Sequence, residues 1–403
     1  METQNAKNSS LKSNIWKFYS LRIFLRSLVF PILVIYFLRS GLSATEVGLV
    51  FAIGVYVAFF LELPSGYISD KIGHKQAITL CFLMKALSML AYLGGTFWWF
   101  VLAEILFVGG GALWSGTGEA FLFETMKDLN RSDDFEKTYG RSMAFGLAVS
   151  SVFLIGMPFF YAYNYQIVFF IGFALLLVPF IVSFSLTQPS YTKPVAKVEG
   201  WWNVIHEWRT IGKFIIRQKR YRSLIFFYAF WQAIQDAMDL FSQLFFTYIK
   251  IPTQFFGTLY AANRVLQAVG GQVAYLFSRA MSSAKILGIF SVQLVFFFFF
   301  GAYTPQYLGI LVFPIRNFFE GVASPISSRM INKEITEGYR ITLLSVEPTL
   351  KRLIEGALVF ILGLLFDAFS VPHVFLMTGV AVAVILSLLY IMAVRSLATE
   401  KAA

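Results

Sequence analysis

The chain has 403 residues, 58% of them hydrophobic and only 14% charged, with a formal net charge of +11 and a mean hydropathy of +0.68. Water-soluble globular domains carry roughly a quarter charged residues, so this composition excludes that class and fits a chain whose solvent is mostly lipid. The positive balance does not point to nucleic acid, because the basic residues recur in alternate connections between long apolar runs.

A transmembrane helix needs about 20 apolar residues. Twelve such segments follow one another: 15–38, 44–65, 77–95, 97–121, 141–162, 165–187, 223–249, 253–277, 285–302, 305–328, 341–366 and 371–394. The runs are continuously apolar, which selects helices over barrel strands of about ten alternating residues. Most connections are short, so neighbouring helices are expected to run antiparallel. The first, even-numbered and last connecting or terminal segments hold 24 Lys and Arg residues, whereas the others hold only Arg39 and Lys250. The positive-inside rule then puts both termini in the cytoplasm, which an even number of spans requires. The polar N-terminus shows no cleavable leader, so the first span is expected to be retained.

The longest connection divides the chain into a tail (1–13), a six-helix bundle (14–187), a linker (188–222), a second six-helix bundle (223–394) and a tail (395–403). In the linker, Trp201, Ile205, Trp208 and Ile215 form a helical stripe beside Arg209, Lys213, Arg217 and Arg220. That pattern predicts an amphipathic helix on the inner membrane surface. The single cysteine, Cys81, lies in a span and reads as a small packing residue. The three histidines, His74, His206 and His373, fall in separate connections and form no metal-ligand spacing, so no metal is expected.

The second connection reads Gly66-Tyr67-Ile68-Ser69-Asp70-Lys71-Ile72-Gly73-His74-Lys75. Glycines suit the tight turn between two helices, and Asp70 can accept hydrogen bonds or pair with a basic residue. This Gly-xxx-Asp-Lys-x-Gly-x-Lys pattern, between spans two and three of twelve, resembles the signature loop of the major facilitator superfamily. Gly66, Asp70, Lys71, Gly73 and Lys75 hold the characteristic positions, and His74 stands where a basic residue is usual. The resemblance implies an all-α membrane protein of twelve helices in two six-helix halves, with cytoplasmic gating contacts at this loop. Arg141, at the start of span five, is the expected partner of Asp70. A degenerate echo, Ala274-xxx-Ser278-Arg279, stands at the equivalent place in the second half.

The chain departs from the family pattern twice. Glu104 stands near the place of an arginine common in span four, ahead of Gly109-Gly110-Gly111. Gly156-Met157-Pro158-Phe159-Phe160 replaces the paired glycines of many drug antiporters. The resemblance also implies that spans one, four, seven and ten line a central cavity, near whose midplane transporters bind cargo. Those spans carry Arg26, Glu104, Asp236, Asp239, Arg316 and Glu320. Ionisable groups in lipid are expensive, about 2.5–3.5 kcal/mol each on insertion scales, and mark functional sites by default. Asp236 and Asp239 share a helix face, as do Arg316 and Glu320. The expectation is an Asp236/Asp239–Arg316 network able to bind and release a proton. Glu347, Lys351 and Glu355 lie at i, i+4 spacing and read as an intrahelical or gating set. Lys85 and Arg264 have no assigned role, and Trp114, Trp231, Gln232 and Gln235 are candidate cavity contacts.

No Walker-type phosphate loop is present, so ATP hydrolysis by this chain is not expected. The reading is a monomeric, multi-pass secondary transporter of the cell membrane, driven by protons without a cofactor and exporting amphipathic or drug-like small molecules. Uptake of an anionic nutrient, clamped by Arg26 and Arg316, is the alternative. A polytopic enzyme or a sensor is a minor one.

Overall fold

The structure, a computed structural model, describes residues 2–189, 218–304, 308–335 and 340–398. The expected amphipathic stripe of the linker lies outside them. All regular structure among the described residues is helical. We number the helices α1 (Glu2–Ile23), α2 (Leu33–Arg39), α3 (Ala44–Ile72), α4 (His74–Tyr92), α5 (Phe97–Asp128), α6 (Phe135–Tyr163), α7 (Ile167–Phe184), α8 (Lys219–Tyr248), α9 (Phe256–Ala280), α10 (Ser283–Tyr303), α11 (Val312–Lys333), α12 (Arg340–Ala368) and α13 (Val371–Ala398).

Each expected span has a helical counterpart, but the first is broken. Between α1 and α2 the chain leaves helical form and passes through a 3-10 turn at Phe30–Ile32. Pro31 lies in that turn; it brings no N–H and its ring crowds the carbonyl four residues earlier. A backbone carbonyl freed in lipid must find a partner. Here the Lys85 ammonium of α4 donates to the Leu25 carbonyl at 2.8 Å.

Six stretches of described helix are long and apolar enough to cross a membrane by length and composition: Ala44–Glu62, Phe97–Asp128, Ser132–Tyr163, Ile167–Phe184, Ser283–Tyr303 and Val371–Leu397. Helices α8, α9, α11 and α12 are not among them. They are also the helices that carry Asp236, Asp239, Arg264, Arg316, Glu320 and Lys351.

The chain forms two compact units. The first holds α1, α2, α4 to α7, α3 from Ile53 onward and the short segment Thr253–Thr258. Its core helix is α4, packed against α5 and α7. The α4–α5 crossing is close because Gly110 has no side chain; a Cβ there would lie 2.7 Å from the Cys81 carbonyl. The second unit holds Ser43–Ala52, α8, α9 from Leu259 onward and α10 to α13. Its core helix is α8, which is buried on nearly every face and packs on α12 and α13. Within this unit the Asp367 carboxylate caps the start of α3, accepting from Ala44 N at 2.7 Å and Thr45 N at 2.8 Å.

Candidate functional site

The second unit gathers its charges around the middle of α8. Arg316 of α11 is fully buried and donates through Nη2 to Asp239 Oδ1 at 2.5 Å and through Nη1 to the Gln235 carbonyl at 3.0 Å. The same guanidinium lies 3.9 Å from Glu320 Oε2, one turn along α11. Asp239 turns its other oxygen to Arg264 of α9, at 3.5 Å. Arg264 Nη1 donates to Gln267 Oε1 at 2.9 Å, and Gln267 Nε2 donates to Glu320 Oε1 at 2.6 Å. A closed ring of Arg316, Asp239, Arg264, Gln267 and Glu320 results, spanning three helices. Asp236, one turn before Asp239, pairs instead with Lys351 of α12.

Two glycines make this ring possible. At the α9–α11 crossing a Cβ on Gly321 would overlap the Gln267 carbonyl, and one on Gly270 would overlap the Phe318 carbonyl. Only backbone meeting backbone lets Gln267 and Glu320 reach each other. Tyr260 of α9 then fixes α8, its hydroxyl donating to the Asp239 carbonyl at 2.9 Å and lying 2.5 Å from Ser242 Oγ. Phe297 and Phe313 face the Arg316 guanidinium, with centroids at 5.6 and 6.0 Å. Side-chain exposure rises from 1% at Arg316 through 13% at Asp239 to 33% at Asp236. The network therefore runs from a sealed aromatic wall to an accessible edge. The Gln235 side chain, buried beside it, has no hydrogen-bond partner for either amide atom among the described residues.

The first unit treats its buried charges differently. Lys85 is fully buried, donates to the Leu25 carbonyl and sits 3.6 Å from the Phe107 ring centroid. Glu104 of α5 accepts from the Tyr92 hydroxyl at 2.6 Å. Among the described residues no ion pair joins the two. Arg26 lies in the break between α1 and α2 and is exposed.

The sequence-predicted site is thus divided. Asp236, Asp239, Arg316 and Glu320 come together in the second unit, while Arg26 and Glu104 lie in the first. The expected Asp236–Arg316 contact is replaced by Asp236–Lys351. Lys351 is therefore a cross-helix partner as well as a member of the Glu347/Glu355 set. Arg264 and Gln267 stand outside the expected site; their i, i+3 spacing on an amphipathic helix is the available signal. Trp231 is buried with its indole N–H on the Phe290 carbonyl at 2.9 Å, and Trp114 is buried against Phe18 at 5.5 Å. Both indoles are occupied in packing. Gln232 is half-buried on α8.

At the signature loop, Gly73 joins α3 to α4 with φ +94°, a left-handed conformation that favours glycine. Asp70 and Lys71 are exposed, and Gly66 has open space around it. No ion pair joins Asp70 to Arg141 among the described residues. Instead the loop is tied down by His74, whose ring nitrogens lie 3.2 Å from Ser69 Oγ and 3.3 Å from Glu124 Oε1 of α5. Thr117 donates to Ser69 at 2.5 Å. Lys75 is held through its backbone N–H, which donates to Gln188 Oε1 at 3.0 Å.

Comparison with known proteins agrees with this architecture. The Major Facilitator Superfamily profile matches residues 16–347, most of the chain, and the chain belongs to that superfamily. It is an MFS-type transporter. A curated relative is the "Uncharacterized MFS-type transporter YxaM" of Bacillus subtilis (strain 168), 21% identical over 387 residues, covering 91% of this chain and 92% of the relative. Among solved structures, the nucleoside transporter NupG superposes with a TM-score of 0.78 at 15% identity, covering 96% of this chain and 98% of that one. A point mutant of the peptide transporter POT in complex with sulfate gives 0.70 at 15% identity, with 95% of each chain covered. A bacterial homolog of the human lysosomal transporter Spinster, inward-facing and occupied, gives 0.66 at 14% identity, with 96% of each covered. At such identities these structures speak to the fold alone.

Proposed function

We propose that this transporter couples the movement of an amphipathic small molecule to protons, in the export direction, through the charge network on α8. In this reading it is a monomer of the cell membrane, crossing it twelve times with both termini cytoplasmic and exposing its site to each side in turn. The observation that carries the proposal is the competition at Arg316. One buried guanidinium serves both Asp239 and Glu320, and Asp239 is shared in turn with Arg264. Protonating either carboxylate leaves the other to be shared by Arg316 and Arg264, so the ion pairs redistribute among three helices and the excess positive charge falls to Arg264, the more exposed of the two guanidiniums. That is the property required of a coupling site in a low-dielectric environment. Carboxylates also outnumber bases: Asp236, Asp239, Glu320, Glu347 and Glu355 face Arg264, Arg316, Lys351 and Arg352.

The alternative, an arginine clamp for an anionic nutrient, is less well supported. Of the two clamp residues, Arg316 is already engaged by Asp239 and Glu320, and Arg26 belongs to the first unit rather than to this network. The aromatic wall and the acidic excess favour a cargo with an apolar body and a neutral or cationic head. The test is uptake of a cationic amphipathic dye into inside-out vesicles, with and without an imposed proton gradient. Gradient-dependent uptake, lost in Asp239→Asn, is expected. Gradient-independent uptake by the wild type would remove protons from the mechanism.

A further inference from the structure

The second unit has a groove that the transport reading does not use. It has a volume of about 600 Å³ and lies among α10, α11 and α13, with Lys285, Gly288, Gln293, Phe296, Phe319 and Tyr390 in its walls. The lining is almost wholly apolar. Phe296 is 45% exposed, so the groove opens on the surface of the fold. Gly288 stands in the wall beside Tyr390; a Cβ there would make ordinary contact with the Tyr390 hydroxyl at 3.5 Å, and a larger side chain would extend into the groove. Two polar groups interrupt the apolar wall. Lys285 marks one end, exposed and with no ion pair among the described residues, in the first turn of α10. Gln293 is buried, at 5% exposure, and neither of its amide atoms has a hydrogen-bond partner among the described residues.

The dimensions identify an occupant. From Lys285 to Phe296 the groove follows eleven residues of helix, about 16 Å. That is half of a hydrocarbon core about 30 Å thick, the depth of one leaflet. Lys285 and Gln293 are eight residues apart, about 12 Å along the axis. The headgroup layer of a bilayer is about 5–8 Å deep on each side. A hydrogen bond at either end adds about 3 Å. A phosphate held by Lys285 and an ester carbonyl of the same lipid offered to Gln293 span that separation. The N-terminus of α10, capped by Ser282, adds positive potential at the phosphate end. A zwitterionic headgroup offers the same phosphate but brings its own ammonium, which competes with Lys285 for it and cancels the net charge, and a detached anion would leave the groove empty.

We propose that this groove is a binding site for an anionic phospholipid. Lys285 holds the phosphate, the Gln293 amide turns onto the ester carbonyl, and one acyl chain lies along Gly288, Phe296 and Phe319. The site is separate from the charge network and does not depend on the proton reading. It places a lipid against α11, the helix that also carries Arg316 and Glu320.

The test is native mass spectrometry of the full-length transporter titrated with phosphatidylglycerol and with phosphatidylcholine of identical chains. A third arm uses inorganic phosphate alone. Phosphatidylglycerol is expected to bind one site roughly 10-fold more tightly than phosphatidylcholine, with no stable adduct from phosphate. Lys285→Glu should abolish the headgroup preference. Gln293→Leu should weaken binding several-fold and keep the preference. Gly288→Leu should fill the groove and remove the tight site. Each variant is compared at equal monodispersity, and the Lys285→Glu change falls on an exposed side chain. Equal affinity for the two lipids, or a preference that survives Lys285→Glu, would overturn the proposal. A phosphate adduct as stable as the lipid's would also overturn it, because the groove would then contribute nothing.

Discussion

The two units handle buried charge in opposite ways. In the first, Lys85 and Glu104 each rest on a neutral partner, the Leu25 carbonyl and the Tyr92 hydroxyl. In the second, Asp239, Arg316, Arg264 and Glu320 hold one another, and Asp236 holds Lys351. Lys85 and Glu104 each hydrogen-bond a neutral group and act on each other only through space, so changing the protonation of either exchanges no ion-pair partner. A shared ion-pair ring has several arrangements of similar energy, and one proton chooses among them. On the proposed reading, the first arrangement serves stability and the second serves coupling.

The sharpest way to break this contrast is Arg316→Met. It leaves Glu320 without a guanidinium and Asp239 with Arg264 alone, and removing one member of a buried pair typically costs about 3–5 kcal/mol. Thermal unfolding of the purified protein should show the loss, and transport should vanish with it. Gly321→Ala comes next. Its Cβ would overlap the Gln267 carbonyl, so α9 and α11 must separate. Overpacking of this kind costs about 1–3 kcal/mol. Gradient-driven transport should fall further than stability does, because the ring opens at Gln267–Glu320.

In the first unit, Lys85→Met leaves the Leu25 carbonyl without its donor, a loss of about 1–3 kcal/mol for an unsatisfied buried group. The molecules that remain folded should transport at the wild-type rate. Loss of coupling in well-folded Lys85→Met protein would erase the distinction between the units.

The smallest effect concerns Asp367. Burial alone would raise its pKa, but hydrogen bonds from the Thr45 side chain, the Thr45 and Ala44 N–H groups and the Ser43 side chain hold it below the usual aspartate value. A depressed pKa means the folded state binds this proton less readily than the unfolded chain does. Its stabilisation is therefore complete above the ordinary aspartate range and is lost as pH falls through the folded value. Asp367→Asn should cost under about 1 kcal/mol near neutrality, because the carboxylate is exposed and screened. The difference from wild type should shrink as pH falls below the ordinary aspartate range. Unfolding midpoints across that range would show it.

Much of this was legible in the chain. Asp239 and Arg316 stand in the middle of apolar runs and have opposite charge, so an ion pair followed from the high cost of either alone. Asp236–Lys351 was hidden because Lys351 lies between Glu347 and Glu355 at helical spacing, where local pairing looks sufficient. Arg264 was visible, but its partner Gln267 carries no charge to advertise it. The break after α1 was not readable from Pro31 alone, since Pro64, Pro158, Pro179, Pro325 and Pro348 all sit inside continuous helices. What differs is a buried lysine from another helix at the freed carbonyl, a tertiary fact. At the signature loop, glycine at position 73 follows from the turn. The role of His74 as its anchor to Glu124 depends on α5 passing beside it.

The most direct test pairs Asp239→Asn with Glu104→Gln in proteoliposomes of the purified transporter. Gradient-driven accumulation of a transported dye and gradient-free exchange of the same dye are measured side by side. Asp239→Asn should lose accumulation by more than about 10-fold while exchange survives. Glu104→Gln, whose amide oxygen can still accept from Tyr92, should keep both. Accumulation lost in Glu104→Gln and retained in Asp239→Asn would contradict the account and move the coupling site to the first unit.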